Sequence, residues 1–245
     1  MIVNKFLLIS NPFFNAYLET DLLGKLIFIG LVSLSIISWA LIIYKSLLTF
    51  QAKKASQQFQ VFFQNYRSNP LTVDPSHYKK SNPYLEIYQV LKRQTVEILN
   101  KNRRFGQKEG ATEKPFLSIT DIELVEGHLI SAISLQTKNL EKHLYILSTV
   151  VTLAPFLGLL GTVWGILVTF SNLQMNAGGN TQQLVLSGLS LALATTVLGL
   201  LDAIPALIGY NYLKHSIKDF QTDMESFSNE ALSSIEIQYR QVDVK

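Results

Sequence analysis

The sequence predicts an all-α membrane protein with three spans, the second and third continuing far into the cytoplasm as long helices. Three observations carry that prediction. The seventy residues from Leu144 to Leu213 contain a single charged side chain, Asp202. That is room for two crossings, because a hydrocarbon core of about 30 Å takes about 20 helical residues per pass. A further run, Leu26 to Tyr44, holds nineteen residues without a charge between Lys25 and Lys45. The polar segments beside these runs place their apolar residues at helical spacing. The implied spans cover residues 26–46, about 147–171 and about 185–211.

The elements follow in order. Residues 1–25 form an N-terminal segment on the outer side. Its weak apolar stretch is interrupted by Asn11-Pro12 and lacks a small-residue cleavage site, which favours an interfacial helix over a removable signal peptide. The first span places Trp39 and Tyr44 toward one end, where aromatic rings favour the headgroup layer. Residues 47–143 form a helical polar region, punctuated by Asn69-Pro70, Asp74-Pro75 and Asn82-Pro83. From Tyr84, the series Leu85, Tyr88, Leu91, Thr95 and Ile98 has helical spacing, and Arg103 to Pro115 reads as a flexible link. Thr120 and Glu123 have the spacing of a capping box. Ile122, Val125, Leu129, Ile133, Leu140 and Leu144 follow without a turn signal, so one helix of about 78 Å is expected over 120–171. Residues 144–213 form the core with the second and third spans, joined by the uncharged segment Asn172 to Gln183. Ile217, Phe220, Met224, Phe227 and Ala231 then extend the third helix through a C-terminal region, 214–245.

Charge sets the expected orientation. Residues 45–143 carry fifteen Lys and Arg against nine Asp and Glu, and Lys214 and Lys218 follow the third span. The positive-inside rule places the middle region and the C-terminus in the cytoplasm and the N-terminus outside. The net charge of +3 is thus a topology signal and does not point to nucleic acid. The absence of cysteine excludes disulfides and thiolate metal sites. No GxxxxGK[ST], HExxH or GxSxG motif is present, and His77, His128, His143 and His215 all lie outside the spans. A soluble-type enzyme is disfavoured, and neither a metal nor an organic cofactor is expected.

The spans themselves are patterned. The second contains Pro155, then Gly158, Gly161 and Gly165, small residues that let helix backbones approach closely in lipid. In the third, Gly188, Ala192, Thr195, Gly199, Asp202 and Ala206 recur at intervals of four and three and form one stripe. Asp202 sits about 27 Å along the helix from Leu184 and about 18 Å from Lys214, in the cytoplasmic half of the span. A carboxylate there is costly to bury, which makes it a functional candidate. Proton handling and a position at a water-filled mouth both fit.

These residues resemble those of a known family. Gly158-Leu159-Leu160-Gly161-Thr162-Val163-Trp164-Gly165-Ile166 resembles the second-span signature of the TolQ/ExbB proton-channel family, distantly related to the flagellar stator protein MotA. Gly199-Leu200, Ala203-Ile204-Pro205-Ala206 and Tyr210-Asn211 resemble its third-span signature, and Ile37 to Ile43 leans toward the TolQ branch. The resemblance is specific over about 155–213 and supportive over 22–48. It implies a bacterial inner-membrane motor: a homopentamer around a single-span partner of the TolR or ExbD type, driven by protons as the coupling ion. It also implies that Thr162 and Thr196 line the ion path and that Pro155 and Pro205 are the family's helix prolines. Thr195, beside Thr196 on the stripe, joins them as a path candidate.

One position departs from the family. Its third-span glutamate falls three residues after the glycine matched by Gly188, where this chain has Leu191. Asp202 lies eleven positions later, about three helical turns on and on nearly the same face, about 16 Å nearer the cytoplasm. Asp202 is therefore expected either to replace the missing carboxylate or to be incidental, with the partner's aspartate carrying the proton alone. The resulting expectation is a proton-channel or stator subunit coupling the proton-motive force to work on the cell envelope. The rivals are a non-conducting scaffold of the same fold and a permease subunit, the latter disfavoured by the absence of a second polar cluster or an inverted repeat.

Overall fold

The computed structural model describes residues 13, 17, 21–74, 82–108, 116–175 and 181–240, with the side chains of 105–108, 175, 181–184, 187 and 191 outside that description. The chain is an all-α membrane protein, and no strand occurs among the described residues. Five long helices are described: α1 (Leu22–Gln64), α2 (Pro83–Lys108), α3 (Ile119–Glu141), α4 (Leu144–Met175) and α5 (Thr181–Tyr239). A short 3-10 turn, Pro70–Thr72, lies between α1 and α2. α1, α4 and α5 are each long and apolar enough to cross a bilayer.

Several local expectations need correction. The helix expected over 120–171 is two helices: α3 ends at Glu141, and α4 begins at Leu144 after Lys142 (φ −50°, ψ 130°) and His143 (φ 73°). The second span therefore has no uninterrupted helical extension on its N-terminal side. The capping box opening α3 is Ser118 with Asp121, two residues before the expected Thr120–Glu123 pair. The Ser118 hydroxyl accepts from the Asp121 amide at 3.2 Å, and the Asp121 carboxylate accepts from the Ser118 amide at 3.0 Å. α2 continues through Gly106 to Lys108, into the segment expected to be a flexible link, and 109–115 lie outside the described residues. The interfacial helix expected over 1–21 also falls almost wholly outside them, as do residues 176–180 of the connection between the second and third spans.

The chain divides into two compact units: a membrane unit, Met1–Tyr44 with His143–Leu213, and a polar unit, Lys45–Lys142 with Lys214–Lys245. The polar unit packs around aromatic rings. Phe59 and Phe63 of α1, Tyr84 and Tyr88 of α2, and Phe220 and Phe227 of α5 are all buried. Tyr84 stacks on Phe227 with ring centroids 4.4 Å apart, and Phe63 meets Phe227 edge-on at 5.5 Å. Such pairs contribute about 0.5–1.5 kcal/mol beyond their area. The Tyr88 hydroxyl donates to the Pro70 carbonyl at 2.7 Å and fixes the turn after α1. The helical stripes read from the sequence form this core: Leu85, Tyr88, Leu91, Thr95 and Ile98 on α2, and Ile217, Phe220, Met224, Phe227 and Ala231 on α5, are buried. The Asn102 amide ties α2 to α3 through the Phe116 carbonyl and the Asp121 carboxylate, each at 3.0 Å. Burial alone would raise the Asp121 carboxyl, but the Ser118 amide, the Asn102 amide and the Ser118 hydroxyl hold it below the ordinary carboxylate value.

Candidate functional site in the membrane unit

The site grows from the glycines. On α4, a methyl group at Gly158 would lie 3.0 Å from the Thr195 carbonyl oxygen and 3.1 Å from the Thr196 Cα. At Gly161 it would overlap the Thr195 side chain, reaching 2.6 Å from its Cβ, and at Gly165 it would stand 3.2 Å from both the Ala192 Cβ and the Gly188 carbonyl. From the other side, a methyl at Gly199 would lie 2.6 Å from the Ala154 carbonyl oxygen, and one at Gly188 would collide with the Thr169 hydroxyl. At Gly199 the opposing backbone leaves no room for a methyl, and at Gly161 and Gly188 a threonine side chain already fills the space. Dispersion and close packing hold such a seam in lipid, where lipid tails are as apolar as the side chains.

Hydroxyls line this seam. Thr195 is fully buried and donates to the Ala192 carbonyl at 2.9 Å, with the Gly158 carbonyl of α4 at 3.4 Å. The Thr196 hydroxyl donates to the same Gly158 carbonyl at 3.3 Å. Thr162 is half-buried, and its hydroxyl turns back to the Leu159 carbonyl of its own helix at 2.6 Å. Pro155 and Pro205 lie inside α4 and α5. Each lacks the N–H that would have bonded the carbonyl four residues earlier, those of Val151 and Leu201.

The third-span stripe changes partner partway along. Gly188, Ala192, Thr195 and Gly199 meet α4. One heptad beyond Thr195, Asp202 instead faces Ser35 of α1. One heptad further, a methyl on Gly209 would strike the Ile42 side chain of α1, 2.6 Å from its Cδ1. The face is continuous, but Asp202 lies in the α1–α5 seam and the threonines in the α4–α5 seam. Asp202 is 7% exposed, and its Oδ2 has no hydrogen-bond partner. Ser38, nearly one turn beyond Ser35 on α1, is also buried. Leu191 is part of α5, with its side chain outside the described residues.

Two contacts were not read from the sequence. Ser35 is one hydroxyl in an apolar run, and nothing in that run says which face meets α5. Asp21 caps α1, accepting from the Gly24 amide at 3.1 Å through Oδ1, while its Oδ2 accepts from the Trp164 indole N–H of α4 at 2.8 Å. This pins the start of the first span to the motif-bearing helix. No group of His, Asp or Glu that could hold a metal occurs among the described residues.

The geometry can be set beside known proteins. The family model for the MotA/TolQ/ExbB proton channel family matches residues 88–226. The chain is 28% identical over 223 residues to the Tol-Pal system protein TolQ of Haemophilus influenzae, covering 89% of this chain and 91% of that one. It is 30% identical over 200 residues to the TolQ of Pseudomonas aeruginosa, covering 79% of each. The biopolymer transport protein ExbB of Aquifex aeolicus is 46% identical over 99 residues, 40% of this chain and 66% of that protein.

Proposed function

This chain belongs to the MotA/TolQ/ExbB proton channel family, and from that premise we propose that it is the multi-span subunit of an inner-membrane, proton-driven motor. It would work with a single-span partner of the TolR or ExbD type and assemble as a homo-oligomer, the pentamer of the resemblance. The N-terminus would face outward and the polar unit and C-terminus the cytoplasm, as the excess of Lys and Arg over residues 45–143 favours. The relatives named for Tol-Pal and biopolymer transport support a role in energising the envelope. No enzymatic step is assigned, and protons serve as the coupling ion.

The observation that carries this reading is a carboxyl in the interior of a span. Asp202 is buried, and the other formally charged groups of the membrane unit among the described residues, Asp21 and Lys25, stand at the start of α1. Placing such a group at helix centre costs about 2.5–3.5 kcal/mol on insertion scales, and it is retained where it serves an ion path or a polar contact. Thr195 and Thr196 supply hydroxyls in the neighbouring seam, and Thr162 supplies one on α4.

The test is proton influx into vesicles holding this protein with its single-span partner. Wild type is expected to conduct. Asp202→Asn is expected to abolish influx while the complex still assembles. Equal influx from both would leave the partner's carboxylate as the sole proton carrier. An intact complex that conducts nothing would favour the scaffold, a reading motivated by Leu191 in place of the family's glutamate.

A further inference from the structure

We propose that Asp202 and Ser35 together form the proton-holding site of this chain, set between α1 and α5 and away from the α4–α5 seam. The proposal rests on the ion-coupled reading above and names where in the protomer its proton would reside. The family resemblance directs attention to the face that α5 shares with α4. Gly209 meets Ile42 of α1, and seven positions earlier on each helix the same register sets Asp202 against Ser35 of the first span instead.

Three features favour a proton-holding pair over a purely structural contact. Asp202 is 7% exposed, yet its Oδ2 has no hydrogen-bond partner. An ionised carboxylate has about four lone-pair positions to satisfy, and here one hydroxyl serves them. A neutral carboxyl asks less of the site, so the arriving proton itself removes most of the cost of burial.

Among the described residues, no salt bridge holds the ionised form. On the elements packed around the pair, the nearest other titratable or charged groups among the described residues are Asp21, Lys25, Tyr44 and Lys45 on or beside α1, His143 and Tyr145 at the start of α4, and Tyr210, Tyr212, Lys214 and His215 on α5. Lys25 and Lys45 each lie about 15 Å along α1 from Ser35, Lys214 lies about 18 Å along α5 from Asp202, and His143 precedes the first residue of α4.

The seam also has a built end. Gly209 lets Ile42 lie against α5 one heptad beyond Asp202. Ser38, three positions beyond Ser35 on α1, is buried as well. α1 thus becomes part of the ion-handling machinery, with Ser35 as a positioning residue for Asp202.

Infrared difference spectroscopy of the full complex in lipid vesicles tests this, with pH as the perturbation. Wild type is expected to show a protonated-carboxyl C=O band that vanishes in Asp202→Asn. In Ser35→Ala the band is expected to shift. The pH at which it disappears should also be displaced, because the hydroxyl no longer donates to the ionised form. The pH profile of proton influx in Ser35→Ala should move with it, and Ser35→Thr, which keeps a hydroxyl, should restore both. A merely structural Ser35 would change assembly without moving either pH dependence. A wild-type spectrum without the Asp202 band, or a Ser35→Ala complex with both profiles unmoved, overturns the pair. Absence of influx with the band present and Ser35-dependent would defeat the motor reading and leave the proton-holding pair standing.

Discussion

At the residue scale, the membrane unit depends on the missing side chains of its glycines as much as on any group present. Gly199 faces the Ala154 carbonyl with no room for a methyl, whereas Gly30 has nothing within 4 Å of where a Cβ would sit. Gly199→Ala is therefore expected to destabilise the detergent-solubilised protein by about 1–3 kcal/mol, the usual cost of overpacking. Gly30→Ala is expected to be neutral or stabilising by about 0.5–1 kcal/mol, because alanine loses less entropy in a helix interior. Thermal unfolding of the two variants side by side checks the contrast. A Gly199→Ala protein as stable as wild type would mean that the helices can separate at no cost. The stripe was legible because spacing alone puts Gly188, Thr195, Gly199 and Asp202 on one face. Its neighbours were not, since α4 and α1 share that face and periodicity cannot say where one gives way to the other.

At the element scale, the break between α3 and α4 is the feature least visible in the sequence. Neither proline nor glycine marks it, and Lys142-His143 sits in an otherwise helical pattern. The signal is tertiary. α3 ends with unpaired carbonyls, as every helix does. The Lys45 ammonium, buried and 95 positions away in the chain, donates to the Leu140 carbonyl at 2.9 Å. The Lys142 amide donates to the Lys138 carbonyl at 3.0 Å, and His143 then takes the left-handed conformation, with φ 73°, that lets the chain restart as α4. Histidine enters that region more readily than most residues, but at a cost of about 1–2 kcal/mol that glycine avoids. Lys45→Met should lower stability by about 1.5–3 kcal/mol, the worth of a charged hydrogen bond. His143→Gly should hold or raise stability, and His143→Val should lower it. Denaturant unfolding in detergent measures all three. If His143→Val were harmless, the bend would not need its left-handed residue, and α3 and α4 could join as the one helix that the apolar spacing suggests.

At the scale of the whole molecule, two packing chemistries divide the chain. The membrane unit closes on glycine, alanine and threonine, and the polar unit on stacked aromatic rings. The span-forming helices were legible because long uncharged runs admit few alternatives. The aromatic core was only half legible: spacing identified Tyr88, Phe220 and Phe227 as facing inward, but not that Tyr84 would stack between α2 and α5. That difference predicts a different response to alkali. Tyr84 is buried beside Phe227, and burial, then the nearby Asp223 carboxylate, push its hydroxyl from 10.0 up to about 12. Burial pushes Tyr88 upward as well. A tyrosine held neutral in the folded chain but free to ionise in the unfolded one contributes stability that is complete below about pH 10. That stability drains away as pH rises toward 12, where the folded group also ionises. Tyr84→Phe keeps the ring and the stacking and removes the ionisation. The polar unit of that variant should lose near-ultraviolet circular dichroism less steeply over this window than wild type. A proton fewer released on unfolding gives the shallower slope, and Tyr88, still present, keeps the loss from disappearing. Identical alkaline profiles for the two proteins would mean that the Tyr84 hydroxyl already meets water in the folded state, and that the aromatic core is more open than its packing implies.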